Sequence, residues 1–413
     1  MKNKTLILLC DNYPLSAGEF FIDDEMRVIA PRFEKVILYT ASAKSYENLN
    51  RFVPDNTEIV QFSRQKLEVG KIKSFFRIFK PMFLRELAFA IRKLPIKYWV
   101  SAFKIMYVDI HRATNLKNEL LQFCNHSHLN VSDCIFYSYW HDYKALALAL
   151  LRKESKHLKC IARAHGGDVF RHRFNPPYIP FKHFIISSLS CTITVSYKGK
   201  NEFSQYNCLE EKIKVSHLGK FNSRLPMLEK INKDKIVFVS CSNLIADKRV
   251  NLIIDVISAI DKVSMEWHHF GKGELEDYIK GYADRKLKNV YFKFYGCVDN
   301  RTILEFYANN YVDLFINLSK WEGIPVSVME ALSAGIPVVA TDVGGTSEAV
   351  NDEIGFLVPA IFNNEDVATI ISNYLSLSIS EQQSYRRKAY QFWKENYEAA
   401  TNYRKFCDIL ENL

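Results

Sequence analysis

Glycine is scarce in this chain, at 15 of 413 residues, and no stretch repeats at a fixed period. Collagen-like and solenoid architectures are therefore excluded. No run approaches the ~18 uncharged apolar residues of a membrane-crossing helix. The apolar run Thr5–Cys10 is ended by Asp11, short of the apolar stretch of a secretory leader. The nine cysteines are scattered without a Cys-x-x-Cys pair, and several, such as Cys134 and Cys160, sit inside apolar runs. They read as reduced core residues, not as a disulfide framework or a zinc site. A cytoplasmic protein is expected. Also missing are Asp-x-Asp, a P-loop, Gly-x-Ser-x-Gly and His-Glu-x-x-His, so no metal-held diphosphate, hydrolase nucleophile or zincin centre is expected.

What is present is ample material for cores. The chain has 29 Phe, 22 Tyr and 5 Trp and is 48% hydrophobic, which excludes intrinsic disorder. At about 100–200 residues per domain, two or three domains are expected. Short apolar, β-branched runs alternate with helical patterns, the mark of parallel sheets covered on both faces. The runs are Thr5–Leu9, Lys35–Tyr39, Ile135–Tyr139, Lys159–Ala162 and Cys191–Val195, then Ile236–Ser240, Glu266–Phe270, Val290–Phe294, Asp313–Asn317 and Pro337–Ala340. Two such series predict two doubly wound α/β domains. The aperiodic stretch Gly219–Asp234 separates them. The expected division is 1–225, 226–380 and a helical segment, 381–413, that packs back on the first domain. The expected site is a cleft at the carboxyl ends of both sheets.

The most informative segment follows the run Asp313–Asn317. In Trp321-Glu322-Gly323-Ile324-Pro325-Val326-Ser327-Val328-Met329-Glu330, Gly323 and Pro325 suit a loop entering a helix, and Gly335 suits the residue after its end. Glu322 then lies in the loop at the positive end of the helix and Glu330 on the helix itself. In one continuous helix the two carboxylates would stand ~12 Å apart; a loop at the first lets both face one cleft. The plain alternative makes Glu322 a helix cap and Glu330 a solvated side chain. Next, Val338–Thr341 runs into Gly344, Gly345 and Thr346, whose backbone N–H groups would suit a diphosphate.

Glu322 and Glu330, with seven residues between them in Ser319–Val338, resemble the E-x7-E motif of glycosyltransferase family 4. Those are retaining enzymes of GT-B fold, built of two facing Rossmann-like domains, that use nucleotide diphosphate sugars. The likeness is strongest over 236–359 and reappears at Arg163–Asp168 and Tyr13–Glu19. Within the family it is closest to transferases of capsule, exopolysaccharide or O-antigen synthesis. The resemblance implies that Glu330 binds the donor ribose, while Glu322 contacts the donor sugar and stabilises charge at its anomeric carbon. Gly344, Gly345 and Thr346 offer N–H groups to the donor. Lys248 binds the diphosphate and His165 contacts the donor sugar, with Arg163 and Asp168 flanking it. Gly18 belongs to a first-domain glycine loop near the phosphate, and Gly271 to a turn near the base. Many members carry an arginine where this chain has Asn243; either Lys248 acts with less help or Arg249 supplies the second charge. His141 reads as structural. The implied donor is a UDP- or GDP-sugar with no metal required, and the implied acceptor a glycan or polyprenyl-linked glycan. An epimerase would share the architecture but not the E-x7-E spacing. A non-catalytic glycan-binding or assembly protein with a transferase fold is the alternative, favoured by Asn243 alone.

The excess of positive charge is local. Between Arg64 and Arg112 stand twelve Lys or Arg (64, 66, 71, 73, 77, 80, 85, 92, 93, 97, 104, 112) against Glu68, Glu86 and Asp109, interleaved with aromatics. This stretch accounts for the chain's whole net charge of +9. It reads either as a surface for anionic lipid at the inner membrane face, with Lys71, Lys73, Arg77 and Lys80 prominent, or as a helix pair with a solvated basic side. Nucleic acid is discounted for want of a recognised module.

Overall fold

The computed structural model describes residues 1–16, 18–41, 51–62, 75–206, 210–224, 226, 227, 229, 235–261 and 264–413. The chain divides into two compact units, Met1–His217 with Tyr403–Leu413, and Leu218–Asn402.

Unit 1 holds seven strands: β1 (Thr5–Cys10), β2 (Lys35–Thr40), β3 (Thr57–Gln61), β4 (Cys134–Ser138), β5 (Lys159–Ala164), β6 (Cys191–Thr194) and β7 (Ile213–Val215). They form one parallel sheet in the order β3-β2-β1-β4-β5-β6-β7. β1, β2, β4 and β5 are buried almost throughout, because helices cover both faces. The long helix Trp99–His126 and the helix Tyr143–Glu154 belong to one apolar cluster with Ile7, Leu9, Phe136 and Cys160. From Tyr403–Leu413, Phe406 lies 5.5 Å from the Tyr137 ring and 4.4 Å from the Arg163 guanidinium.

Unit 2 holds β8 (Ile236–Cys241), β9 (Met265–Phe270), β10 (Val290–Phe294), β11 (Leu314–Asn317), β12 (Val338–Thr341) and β13 (Gly355–Val358). Their order is β10-β9-β8-β11-β12-β13, again all parallel. In both sheets the order reverses once, at β1/β4 and at β8/β11. The helices leave opposite faces there and open a crevice at the carboxyl ends.

β3, β7 and β13 fall outside the runs read from the sequence. β3 is a half-exposed edge strand carrying Thr, Glu and Gln, β7 has three residues, and β13 begins on a glycine. None presents the continuous apolar run that marks a central strand.

Candidate active site

The carboxyl edge of the unit 2 sheet collects most of the sequence-derived residues. β11 ends at Asn317, and the chain loops through Glu322 before the helix Val326–Ser333 begins. Pro325 sits at the N-cap of that helix. Gly335, at φ +68°, closes its far end, where Ile336 N–H donates to Ala331 at 3.0 Å. Val328, Met329 and Leu332 are fully buried and anchor the helix, each contributing about 2 kcal/mol of apolar burial.

From the β8 side, a short turn brings Lys248 Nζ to 2.6 Å from Glu322 Oε1. Asn317 Nδ2 donates to the same oxygen at 3.3 Å. Gly344, after β12, is at φ +57°, and a Cβ there would lie 1.7 Å from the Glu322 carbonyl oxygen. Only glycine lets the two loops approach this closely. Gly271, at φ +132°, does the same on the other side, where a Cβ would lie 1.9 Å from the Ser242 carbonyl oxygen. Its backbone packs the β9 turn onto the β8 turn next to Asn243, whose side chain is exposed.

Glu330 is not a solvated side chain. It is 6% exposed, with Asn300 Nδ2 at 2.6 Å and Lys220 Nζ at 3.3 Å from Oε1. Neither partner was read from the sequence. Lys220 is itself buried, its backbone pinned by Tyr397 and Ala399.

Two expectations for unit 2 change. Gly345 N–H donates to the Gly323 carbonyl at 2.6 Å and Thr346 N–H to Val343 at 3.1 Å. These amides hold the loop. Arg249 lies in left-handed backbone, and its guanidinium donates to the carbonyls of Leu318 (2.6 Å), Ser319 (2.9 Å) and Ala360 (2.8 Å). It fastens β11's exit loop and does not sit beside Lys248 as a second anion-binding charge.

In unit 1, His165 follows β5 and caps the short helix Gly166–Val169. Its ring lies against Tyr139 (5.0 Å), Trp140 (4.7 Å) and Phe21 (5.7 Å). Both ring nitrogens are shielded, without a hydrogen-bond partner among the described residues; Asp168 Oδ2 stands 3.7 Å from Nδ1, beyond bonding distance. An unsatisfied buried imidazole calls for an explanation, and a substrate hydroxyl would supply one. Asp168 accepts from His165 N–H at 3.0 Å. Burial alone would raise its pKa, but the contacts with His165 and the charge of Lys182 hold it at about 2.

Arg163 does not orient His165. It is fully buried, donates to Tyr137 Oη (2.6 Å) and Ser216 O (3.1 Å), and pairs with Glu25 (3.4 Å). His141 is buried against Lys182, 3.0 Å from Nδ1, and burial together with that charge pushes its pKa well down. Burial lowers Lys182 to about 8 against the pull of Asp168 and Asp142. A cavity of about 140 Å³ opens beside these groups, lined by Asp109, Asp142, Asp168 and Phe174.

The Gly18 loop also differs from expectation. The Glu19 carboxylate accepts from the N–H groups of Asp11 (3.1 Å), Asn12 (2.6 Å) and Tyr13 (2.8 Å), and from Trp140 Nε1. The amides after β1 thus already hold an anion. The Gly18 carbonyl accepts from Arg51 at 2.9 Å. Ala17 of this loop lies outside the described residues.

In the basic stretch, residues 64, 66, 71 and 73 lie outside the described residues. Arg77 is no lipid-facing charge: it donates to Asn115 Oδ1 (3.0 Å) and the His111 carbonyl (3.3 Å). Among the described residues no cluster of His, Cys, Asp and Glu fits a metal ion, and no helix is long and apolar enough to cross a membrane.

Comparison with known proteins places this arrangement. Solved structures share the architecture over nearly the whole chain, which makes the fold GT-B. Sucrose-phosphate synthase of Thermosynechococcus elongatus superposes with a TM-score of 0.72 at 11% identity, covering 99% of this chain and 98% of that one. The Anabaena protein Alr3699/HepE, solved with UDP-glucose, superposes with a TM-score of 0.66 at 15% identity, covering 99% and 100%. In sequence, residues 226–392 match the family model described as "Glycosyl transferases group 1". Lys248, Glu322, Glu330 and Gly344 all lie inside that match. The O-antigen biosynthesis glycosyltransferase WbnH of Escherichia coli is 32% identical over 177 residues, 40% of this chain and 45% of that protein. The chain spans about half the length of the curated relatives it matches.

Proposed function

We propose that the protein is a glycosyltransferase that moves a sugar from a nucleotide diphosphate sugar to a glycan or polyprenyl-linked glycan acceptor, retaining the anomeric configuration, in O-antigen, capsule or exopolysaccharide synthesis. The observation that carries this reading is the Lys248–Glu322 pair, 2.6 Å apart, set at the β8/β11 crevice and locked by Gly344. A cation and a carboxylate held together there answer the two charges of glycosyl transfer. The leaving diphosphate gains negative charge as the anomeric carbon gains positive charge. The matched family model and the relative named for O-antigen biosynthesis support the same class.

In this reading the bond from the anomeric carbon to the β-phosphate oxygen breaks, and Lys248 stabilises the departing nucleoside diphosphate. Glu322 stabilises the sugar's positive charge. The acceptor hydroxyl bonds to the anomeric carbon from the face the diphosphate leaves and gives its proton to the diphosphate oxygen. Glu330 accepts from the ribose hydroxyls, its carboxylate preset by Lys220 and Asn300. His165 receives a donor-sugar hydroxyl at a nitrogen that otherwise has no partner. The leaving group's charge falls to Lys248 and the Gly344 amide, so the reaction needs no metal. The protein works on the cytoplasmic side, at the inner membrane face where a polyprenyl-linked acceptor would lie.

A panel of UDP- and GDP-sugars screened by thermal shift, then by product mass and anomeric NMR, tests this. UDP-glucose goes first, because the Anabaena neighbour binds it. A product with the donor's anomeric configuration is expected. Binding of a nucleotide sugar or glycan without turnover on any acceptor would favour the non-catalytic alternative.

A further inference from the structure

A cavity of about 1010 Å³ has no part in the site above. It lies in unit 1, where the helices Tyr143–Glu154 and Lys182–Ser188 end and β5, β6 and β7 begin. It is therefore at the opposite edge of that sheet from Glu19 and His165, about 20 Å away along the strands. The helix Pro81–Lys93 forms its other wall. We propose that this groove docks the protein on a membrane by taking the phosphate headgroup and upper acyl chain of an anionic phospholipid.

Three observations support that occupant. First, the floor is apolar, formed by Met82, Phe89, Phe184 and Tyr206. Secondly, the rim is cationic and short of counter-charge. Arg85, Arg92, Lys93 and Lys156 are exposed and make no ion pair among the described residues. The one carboxylate of the lining, Glu86, is buried and accepts from Tyr178 Oη at 2.6 Å. Thirdly, the same helix and the segment after it expose apolar side chains: Leu84 (50%), Ile91 (43%), Ile96 (74%) and Val100 (68%).

Cations in a last helical turn answer the helix dipole, which accounts for Arg92 and Lys93. It does not account for Arg85 in mid-helix, for Lys156 in a loop, or for the apolar floor between them. A soluble anion would satisfy the rim alone, and an apolar peptide the floor alone. A phospholipid satisfies both, with its phosphate on the rim, its chain on the floor, and Leu84 and Ile91 entering the interface. This site shares Arg85, Arg92 and Lys93 with the basic stretch 64–112 but does not involve Lys71, Lys73 or Arg77. Its position makes it an anchor and not an acceptor pocket.

The test is co-sedimentation with vesicles of phosphatidylglycerol and phosphatidylcholine, against phosphatidylcholine alone, and it needs neither donor nor acceptor. Failure of the transferase reading would leave it untouched. Wild-type protein is expected to bind the anionic vesicles and to be released by salt. Each basic side chain near the surface carries about a fivefold effect. The combined Arg85→Gln, Arg92→Gln, Lys93→Gln, Lys156→Gln variant should therefore lose at least about a hundredfold in affinity. Four exposed unit 2 cations changed together, Lys286, Lys288, Lys293 and Lys388 to Gln, control for net charge and should leave binding within a few-fold. Leu84→Ser with Ile91→Ser should weaken what binding survives in salt. Unchanged melting and circular dichroism confirm that the variants fold. Absence of wild-type binding at low salt, wild-type binding by the groove variant, or an equal loss in the unit 2 control would each overturn the proposal. So would a wild-type dimer that Leu84→Ser with Ile91→Ser dissolves while vesicle binding is absent, since that assigns the face to a second copy.

Discussion

Glu330 is where fold and binding can be separated by experiment. Its carboxylate is buried with the Lys220 ammonium 3.3 Å away, and Asn300 donates to it at 2.6 Å. Removing one member of a buried pair strands the other, at a cost of about 3–5 kcal/mol. Glu330→Gln keeps size and an acceptor oxygen, so about 3 kcal/mol is the reasonable figure, and less if other contacts of Lys220 absorb the charge. In a unit the size of Leu218–Asn402 that lowers Tm by roughly 6–12 °C.

Nucleotide binding should fall independently. A carboxylate accepting from ribose hydroxyls contributes about 1.5–3 kcal/mol per charged hydrogen bond, so Kd for the matching nucleoside diphosphate should rise about 10- to 150-fold. The double variant Lys220→Met with Glu330→Gln separates the two effects. With both charges gone, most of the lost Tm should return, because no unpaired ion remains. Affinity should not return, because the ribose acceptor is still missing. Differential scanning calorimetry and titration calorimetry read the two quantities. If Glu330→Gln leaves Kd unchanged, or affinity recovers together with Tm in the double variant, Glu330 is a structural residue and its place in the donor site is refuted.

Four further outcomes are expected. Gly344→Ala should destabilise by at least about 2 kcal/mol and slow turnover, since its Cβ would lie 1.7 Å from the Glu322 carbonyl oxygen; a melt matching wild type would contradict the geometry. Lys248→Ala and Glu322→Gln should each lower kcat about 10²- to 10³-fold with a smaller change in KM, measured with the donor found by the panel. His165→Ala should likewise cut turnover more than stability; a large drop in Tm with kcat intact would make it a packing residue. Asp168 titrates near 2 in the folded chain against an ordinary 3.8, so the stability it contributes, about 2 kcal/mol, is complete above about pH 4 and is lost as pH falls through 2; Asp168→Asn should flatten that acid limb in pH-dependent melts.

The sequence made the central strands legible because burial on both faces forces a continuous apolar run, as in Thr5–Cys10 and Val338–Thr341. It hid β3 because an edge strand need not be apolar, and Glu58 there pairs with Lys35 in solvent. In the site, Glu322, Glu330 and Gly344 could be read because one strand-loop-helix unit and the next strand carry them within a short span. Their order along the chain follows their order in space. Lys220 could not be read. It precedes Glu330 by more than a hundred residues, in an aperiodic stretch, and reaches it only because Tyr397 and Ala399 hold its backbone.

Gly18 and Glu19 show a different limit. A glycine after the first strand of a doubly wound sheet points to amides waiting for a phosphate, and that inference assumes the amides are vacant. Here the N–H groups of Asp11, Asn12 and Tyr13 close on Glu19, whose φ of +52° folds its carboxylate back over them. Trp140 adds a fourth donor. The amides attract negative charge whatever its source, and a tethered carboxylate has a lower entropic cost than a free phosphate. Glu19 thereby ties the β1 loop to Trp140, and Trp140 packs on the His165 ring at 4.7 Å. The loop thus reaches His165 through Trp140. What a pattern of residue types marks as a cradle for substrate has become, through one left-handed residue, the support for a neighbouring side chain.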